Sequence, residues 1–173
     1  MMTLTQTDFK EIKVEAIKDN AFKLIASDWM LITAGSIGSY NTMTANWGGM
    51  GYLWNRNVCF CFVRPTRHTY GFMERSAGFT LSFFDEKYRD ALNFCGSRSG
   101  RDVNKAAETG ITPVGGDSGS VFFEEARMIL ECRKIYFQDI NPANFIDSEI
   151  NKNYPGKDYH RMYVGEIVKC LIM

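Results

Sequence analysis

No stretch of the chain approaches the roughly 20 consecutive apolar residues that a membrane-spanning helix needs. An excess of charge is missing too, because 20 basic side chains balance 20 acidic ones. The broad electrostatic footprint of a nucleic-acid or anionic-lipid binder is therefore absent, and no nucleic acid and no membrane is expected as a partner. Histidine is scarce. His68 and His160, with 5 scattered cysteines, make no familiar ligand spacing, so no metal is expected. No G-x-G-x-x-G and no P-loop occurs; Gly115-Gly116-Asp117-Ser118-Gly119 lacks the lysine and reads as a flexible turn. Hydrolase triads have no supporting motif. With only 4 prolines, and with no repeat or low-complexity tract, residues 1–173 read as one continuous domain.

The N-terminus mixes Asp8, Lys10, Glu11, Lys13, Glu15, Lys18 and Asp19, which argues against a signal peptide, and residues 1–28 read as a helical lead-in. Cys59 and Cys61 lie two apart in an apparent strand. They share one face about 6–7 Å apart, poorly placed for a bridge. Reduced thiols and a cytoplasmic location are the simplest account.

What the sequence does contain is strands. Trp29–Ala34, Tyr40–Trp47, Val58–Val63, Phe79–Phe84, Val121–Glu124, a long run from Ala126 and Met162–Leu171 read as extended segments. In the run from Ala126, Ala126, Met128, Leu130 and Cys132 point one way, and Arg127, Glu131 and Arg133 the other. Short helices are expected over Arg67–Glu74, capped by Thr66, over Lys87–Phe94, and over Val103–Glu108 with Gly110 as its stop. Five to seven strands without βαβ alternation predict a mainly β fold, a small closed or partly closed antiparallel barrel. Aromatic residues make up 14% of the chain, enough for a thick core, a platform for a flat ligand or a subunit interface.

Three segments carry candidate chemistry. Asn41-Thr42-Met43-Thr44-Ala45-Asn46-Trp47 should present a row of backbone N–H and C=O groups, with Ala45 allowing close approach by a planar heterocycle such as an isoalloxazine. On these residues alone, an edge strand with a polar outer face is the better reading. Arg64-Pro65-Thr66-Arg67-His68-Thr69 joins an apolar strand to a helix start, where unpaired N–H groups and the dipole attract anions. Its arginines and threonines fit a phosphate cradle and a solvated helix cap equally well. Ser97-Arg98-Ser99-Gly100-Arg101-Asp102-Val103-Asn104-Lys105 offers a second anion-contacting loop, with a solvated turn as the plainer account.

Taken together, these segments resemble the flavin reductase-like, FMN-binding split-barrel family, its flavoredoxin-like branch in particular. The resemblance is carried by N-T-M-T-A-N-W-G-G at 41–49, V-R-P-T-R-H-T-Y at 63–70, F-T-L-S-F-F at 79–84 and S-G-R-D-V-N-K at 99–105. E-A-R-M-I-L-E-C at 125–132 and D-Y-H-R-M-Y-V-G-E-I at 158–167 complete it. It spans Trp29 to Ile167. It implies an antiparallel, Greek-key type split β-barrel that binds FMN, forming a homodimer with the cofactor at the subunit interface. Asn41 to Trp47 would then line the isoalloxazine and ribityl chain, and Arg64, Thr66, Arg67 and Thr69 would hold the phosphate. Ser99, Arg101 and Lys105 would approach from the loop side. His160 matches a histidine near bound nicotinamide, although a histidine before a strand is usually a surface hydrogen-bonding residue. The function so implied is NAD(P)H-dependent reduction of the flavin, with NAD(P)H as transient co-substrate. An electron-acceptor protein or free flavin would take the electrons. A flavoredoxin-type electron carrier and a non-redox ligand-binding split barrel are the alternatives.

Overall fold

Apolar runs that lack a polar face must be covered on both sides, and here one curled antiparallel sheet does the covering. The computed structural model describes residues 8–173. Its strands are β1 (Lys10–Ile12), β2 (Met30–Ser36), β3 (Ser39–Ala45), β4 (Gly48–Leu53), β5 (Arg56–Val63), β6 (Gly78–Phe83), β7 (Pro113–Gly115), β8 (Val121–Phe123), β9 (Met128–Asp139) and β10 (Arg161–Ile172). Its helices are α1 (Ala21–Lys23), α2 (His68–Arg75), α3 (Arg89–Ser97) and α4 (Lys105–Thr109).

The main sheet runs β3-β2-β6-β9-β10-β5-β4, with β1 also on β10, and β7-β8 form a separate ribbon. β3 and β4 are thus the two outer strands of the path, yet only Asn46 and Trp47 separate them in sequence. The sheet curls until its ends nearly meet at this connection but does not close, which makes it a split barrel.

Inside the curl lies one core, including Met30, Ile32, Met43, Cys61, Phe79, Leu81, Leu130 and Tyr163. Met73 of α2 plugs it from one side. A second core forms on the outer face, where α3, α4 and β8 contribute Leu92, Cys95, Ala106, Phe122 and Phe123 against Leu31 and Ile129.

Several sequence expectations change. The lead-in over 1–28 is not uniformly helical. Residues 1–7 lie outside the described residues, Lys10–Ile12 pairs with β10, and helix appears as a single 3-10 turn at Val14–Ala16 and again around Ala21–Asp28. Gly48-Gly49 begins β4, because a bare backbone lets it lie against β5, where a Cβ on Gly48 would sit 2.7 Å from the Phe60 carbonyl oxygen. The ten strands exceed the five to seven expected because β1, β4 and β7 are short or glycine-rich. Thr66 does not cap α2; the N-cap is Arg67, with no side-chain cap bond. On β9, Met128, Leu130 and Cys132 face the inner core as anticipated, but the opposite face is covered as well. Glu131 is buried there, accepting hydrogen bonds from Ser118 and Ser120, both at 2.6 Å. Those bonds tie down the turn expected to be flexible. Gly110 stops α4 in the left-handed conformation, as anticipated.

Cys59 does not face Cys61 for bonding; its sulfur meets that of Cys132, 3.3 Å away. All five thiols are free and buried. Gly165 of β10 faces into the same region, and a Cβ there would stand 2.6 Å from Phe79 Cζ and 2.8 Å from Cys132 Cβ. Overpacking of this kind costs about 1–3 kcal/mol. Gly165→Ala should therefore lower the urea midpoint by that amount of stability, with an unchanged m-value.

Candidate functional site

β3 is an edge strand with β2 as its sole sheet partner among the described residues. An uncovered edge invites unwanted pairing, and proteins blunt it with helices or loops. Here its side chains bind helices on either flank. Asn41 Nδ2 donates to Thr69 Oγ1 on α2 at 2.7 Å, and Thr44 Oγ1 donates to the Leu92 carbonyl on α3 at 2.5 Å. The buried Lys105 ammonium at the start of α4 donates to the Thr42 and Cys95 carbonyls, both at 2.7 Å. Three elements distant in sequence thereby converge on one strand.

Two cavities lie along consecutive lengths of β3. The larger, about 630 Å³, is walled by residues 38–42, His68, Phe72 and the 100–106 loop. The smaller, about 190 Å³, is walled by residues 43–47, Phe62, Arg64, Arg67 and His160. Arg67 reaches from the α2 entrance to the end of α3, where its Nη1 donates to the Gly96 carbonyl at 3.0 Å.

The larger cavity is cationic. His68 is pushed below its usual range by burial, then by Arg101, Lys105 and Arg75, with Asp102 opposing. Burial pushes Lys105 down to about 8, with Arg67 adding to the effect and Cys95 opposing it. Ser99 Oγ accepts the Arg101 N–H at 3.2 Å and shapes the loop. Gly100 is pressed against the strand so closely that a Cβ there would fall 1.9 Å from Asn41 Oδ1. Only glycine fits that approach.

In the smaller cavity the arginines differ. Arg64 is committed: it pairs with Asp158 at 2.8 Å, donates to the Asn153 carbonyl at 2.8 Å, and lies over the Tyr154 ring at 4.8 Å. Arg67 keeps a buried Nη2 without any partner among the described residues, and burial, then Arg64, lowers its pKa. A guanidinium nitrogen buried without an acceptor is costly, so this donor is available to a ligand. His160 is buried, its ring 5.2 Å from that of Trp47, and burial followed by Arg64 pushes it down to about 4, with Asp158 opposing. It is neutral at physiological pH.

Of the residues singled out in the sequence, Asn41, Thr42, Arg101 and Lys105 line the larger cavity. Met43, Thr44, Ala45, Asn46, Trp47, Arg64, Arg67 and His160 line the smaller. Thr69 is buried and occupied by Asn41, whereas Thr66 is exposed on the turn before α2 and lines neither cavity. Ser99 acts through the loop. Sequence reasoning missed Phe62, Phe72 and, above all, Tyr154, whose phenol oxygen is 2.7 Å from His160 Nδ1. Its setting, N-Y-P-G, reads as a turn, and nothing in the spacing joins it to β3. No group of three or more His, Cys, Asp or Glu side chains arranged to hold a metal occurs among the described residues. Nor is any helix among them long and apolar enough to cross a membrane.

Comparison with known proteins places this geometry. The flavin reductase like domain profile matches residues 22–172. No curated protein matches the chain. Among solved structures, the flavoredoxin of Desulfovibrio vulgaris (Miyazaki F) is 21% identical with a TM-score of 0.67, covering 95% of this chain and 77% of that one. An FMN-binding protein from Thermus thermophilus with bound p-hydroxybenzaldehyde is 18% identical with a TM-score of 0.67, covering 93% and 80%. The Streptomyces globisporus C-1027 NADH:FAD oxidoreductase SgcE6 is 15% identical with a TM-score of 0.66, covering 84% and 75%. At such identities these structures establish a shared fold. With the profile match running over nearly the whole described chain, the protein belongs to the flavin reductase-like domain family.

Proposed function

We propose that this chain holds FMN non-covalently along the edge of β3 and catalyses its reduction by NAD(P)H, passing the electrons to a protein acceptor or to free flavin. The observation that carries this reading is the buried Arg67 Nη2, unpartnered among the described residues, beside a strand edge and next to a cavity lined by Arg101 and Lys105. That donor set fits a planar, acceptor-edged ring with a phosphate. Residues 43–47 would line the ring, with Arg67 supplying a donor. Arg101, Lys105 and His68 would meet the phosphate, since Arg64 is already neutralised by Asp158. When bound, FMN supplies the redox chemistry, and the protein supplies binding and orientation. His160, neutral and beside Trp47, would face the nicotinamide. The T. thermophilus protein, with its bound aldehyde, is a relative in fold that takes a planar carbonyl compound. The exposed Trp47, Tyr52, Trp54, Tyr136 and Phe137 support the expected homodimer, which a solution mass measurement would decide.

Three outcomes follow. Arg67→Ala should weaken FMN binding by roughly 1.5–3 kcal/mol, the scale of a charge-assisted hydrogen bond, read from quenching of flavin fluorescence; an unchanged dissociation constant removes Arg67 from the site. Because Lys105 is pushed down to about 8 in the free protein and an adjacent phosphate would favour its cation, FMN binding should take up a proton above that pH. Affinity should accordingly fall as pH rises from 7.5 to about 9.5, and Lys105→Gln should flatten the slope. Stopped-flow mixing of FMN-loaded protein with NADH or NADPH should bleach the flavin band within seconds. A stable oxidised spectrum would leave the flavoredoxin-type electron carrier as the better account.

A further inference from the structure

His160 and Tyr154 form a pair whose proton arrangement follows from burial. A neutral imidazole carries one N–H, and its position is set by whatever the other nitrogen meets. The Tyr154 phenol is buried, its oxygen lies 2.7 Å from His160 Nδ1, and no other acceptor among the described residues bonds its O–H. A proton on Nδ1 would leave the phenol hydrogen buried and unpaired, so the phenol donates and Nδ1 accepts. The ring proton then belongs on Nε2. That nitrogen makes no hydrogen bond to the described residues, while the imidazole lines the cavity walled by Met43–Trp47.

We propose that Tyr154 is a positioning residue that fixes His160 as an Nε2–H donor toward a carbonyl oxygen held over the β3 wall, such as a nicotinamide carboxamide. The choice of nicotinamide rests on the reductase reading above; the tautomer does not.

The surroundings hold the pair rigid. Arg64 lies over one side of the Tyr154 ring, and Phe145 and Tyr159 pack on it at 6.1 and 5.0 Å between centroids. Burial raises the phenol's pKa, and His160 is displaced far below neutrality, so neither group ionises in the physiological range. His160 therefore acts as a fixed dipole and not as an acid or base.

The chain has only two histidines, so the ring nitrogens can be read directly in protein labelled with ¹⁵N-histidine, His68→Gln assigning the signals. In FMN-loaded wild type, His160 should show a protonated Nε2 and a bare Nδ1. In Tyr154→Phe, which keeps the aromatic packing, Nδ1 should acquire a substantial share of the proton. Apparent NADH affinity should drop about two- to tenfold, the range of one neutral hydrogen bond, with FMN affinity unchanged. An Nδ1–H tautomer in wild type overturns the proposal without any variant, as does an unaltered tautomer in Tyr154→Phe. Unaltered NADH affinity despite a changed tautomer overturns the donor role. Should NADH fail to reduce the wild-type flavin, the reductase reading falls, and the tautomer still decides the role of Tyr154.

Discussion

The ammonium of Lys105, held between the carbonyls of Thr42 and Cys95, is the contact on which the candidate site depends. A buried cation is tolerated only when its donors are satisfied, and here two are taken by backbone of different elements. The same bonds bring α4 to β3 and dock the end of α3 beside it. Without them, two carbonyls would lose partners at about 1–3 kcal/mol each, and the loop carrying Arg101 would lose its anchor. The site is therefore a by-product of how an edge strand is protected. Asn41 and Thr44 do the same work toward α2 and α3, and the cavities are the lengths of edge that the clamps leave uncovered.

Charge is divided along that edge in a way composition could not reveal. Arg64 and Arg67 sit three residues apart and look equivalent in sequence. The fold gives Arg64 the Asp158 carboxylate and leaves Arg67 with a buried nitrogen unpaired. The difference arises because Asp158 arrives from the loop before β10, 94 residues away in sequence. A zero net charge thus coexists with a cavity lined by Arg101 and Lys105, where burial and then those two cations depress His68.

Much of this was legible from the residues. Runs such as Val58–Val63 and Phe79–Phe84 carry enough apolar and β-branched or aromatic character to fall on β5 and β6 within two residues, and Gly110 marks the end of α4 because it sits at φ 73°. Most residues picked for the site converge on the two cavities because the segments carrying them flank the same strand. Less was legible where local and tertiary signals disagree. Gly48-Gly49 looks like a break until β5 supplies the neighbour it needs. Glu131 looks exposed by alternation until the 115–120 turn folds over it and provides two hydroxyls. Thr66 looks like a cap, but the turn closed by the Arg67 N–H to the Arg64 carbonyl carries it outward.

Tyr154 illustrates the limit most sharply, since its role depends on a partner six residues away and on burial that no local pattern announces. The lack of an obvious catalytic constellation in the sequence is then consistent with the chemistry proposed. Hydride delivery to a flavin needs orientation and exclusion of water more than proton transfer. A neutral histidine locked by a buried phenol, facing an aromatic wall of Trp47 and Phe62, provides orientation without offering a titrating group. The cations that would bind a phosphate lie mainly in the neighbouring cavity, farther along the same strand. On the proposed reading, separate anion-binding and hydride-facing ends would let one edge strand serve both, because each length of its backbone meets a different set of side chains.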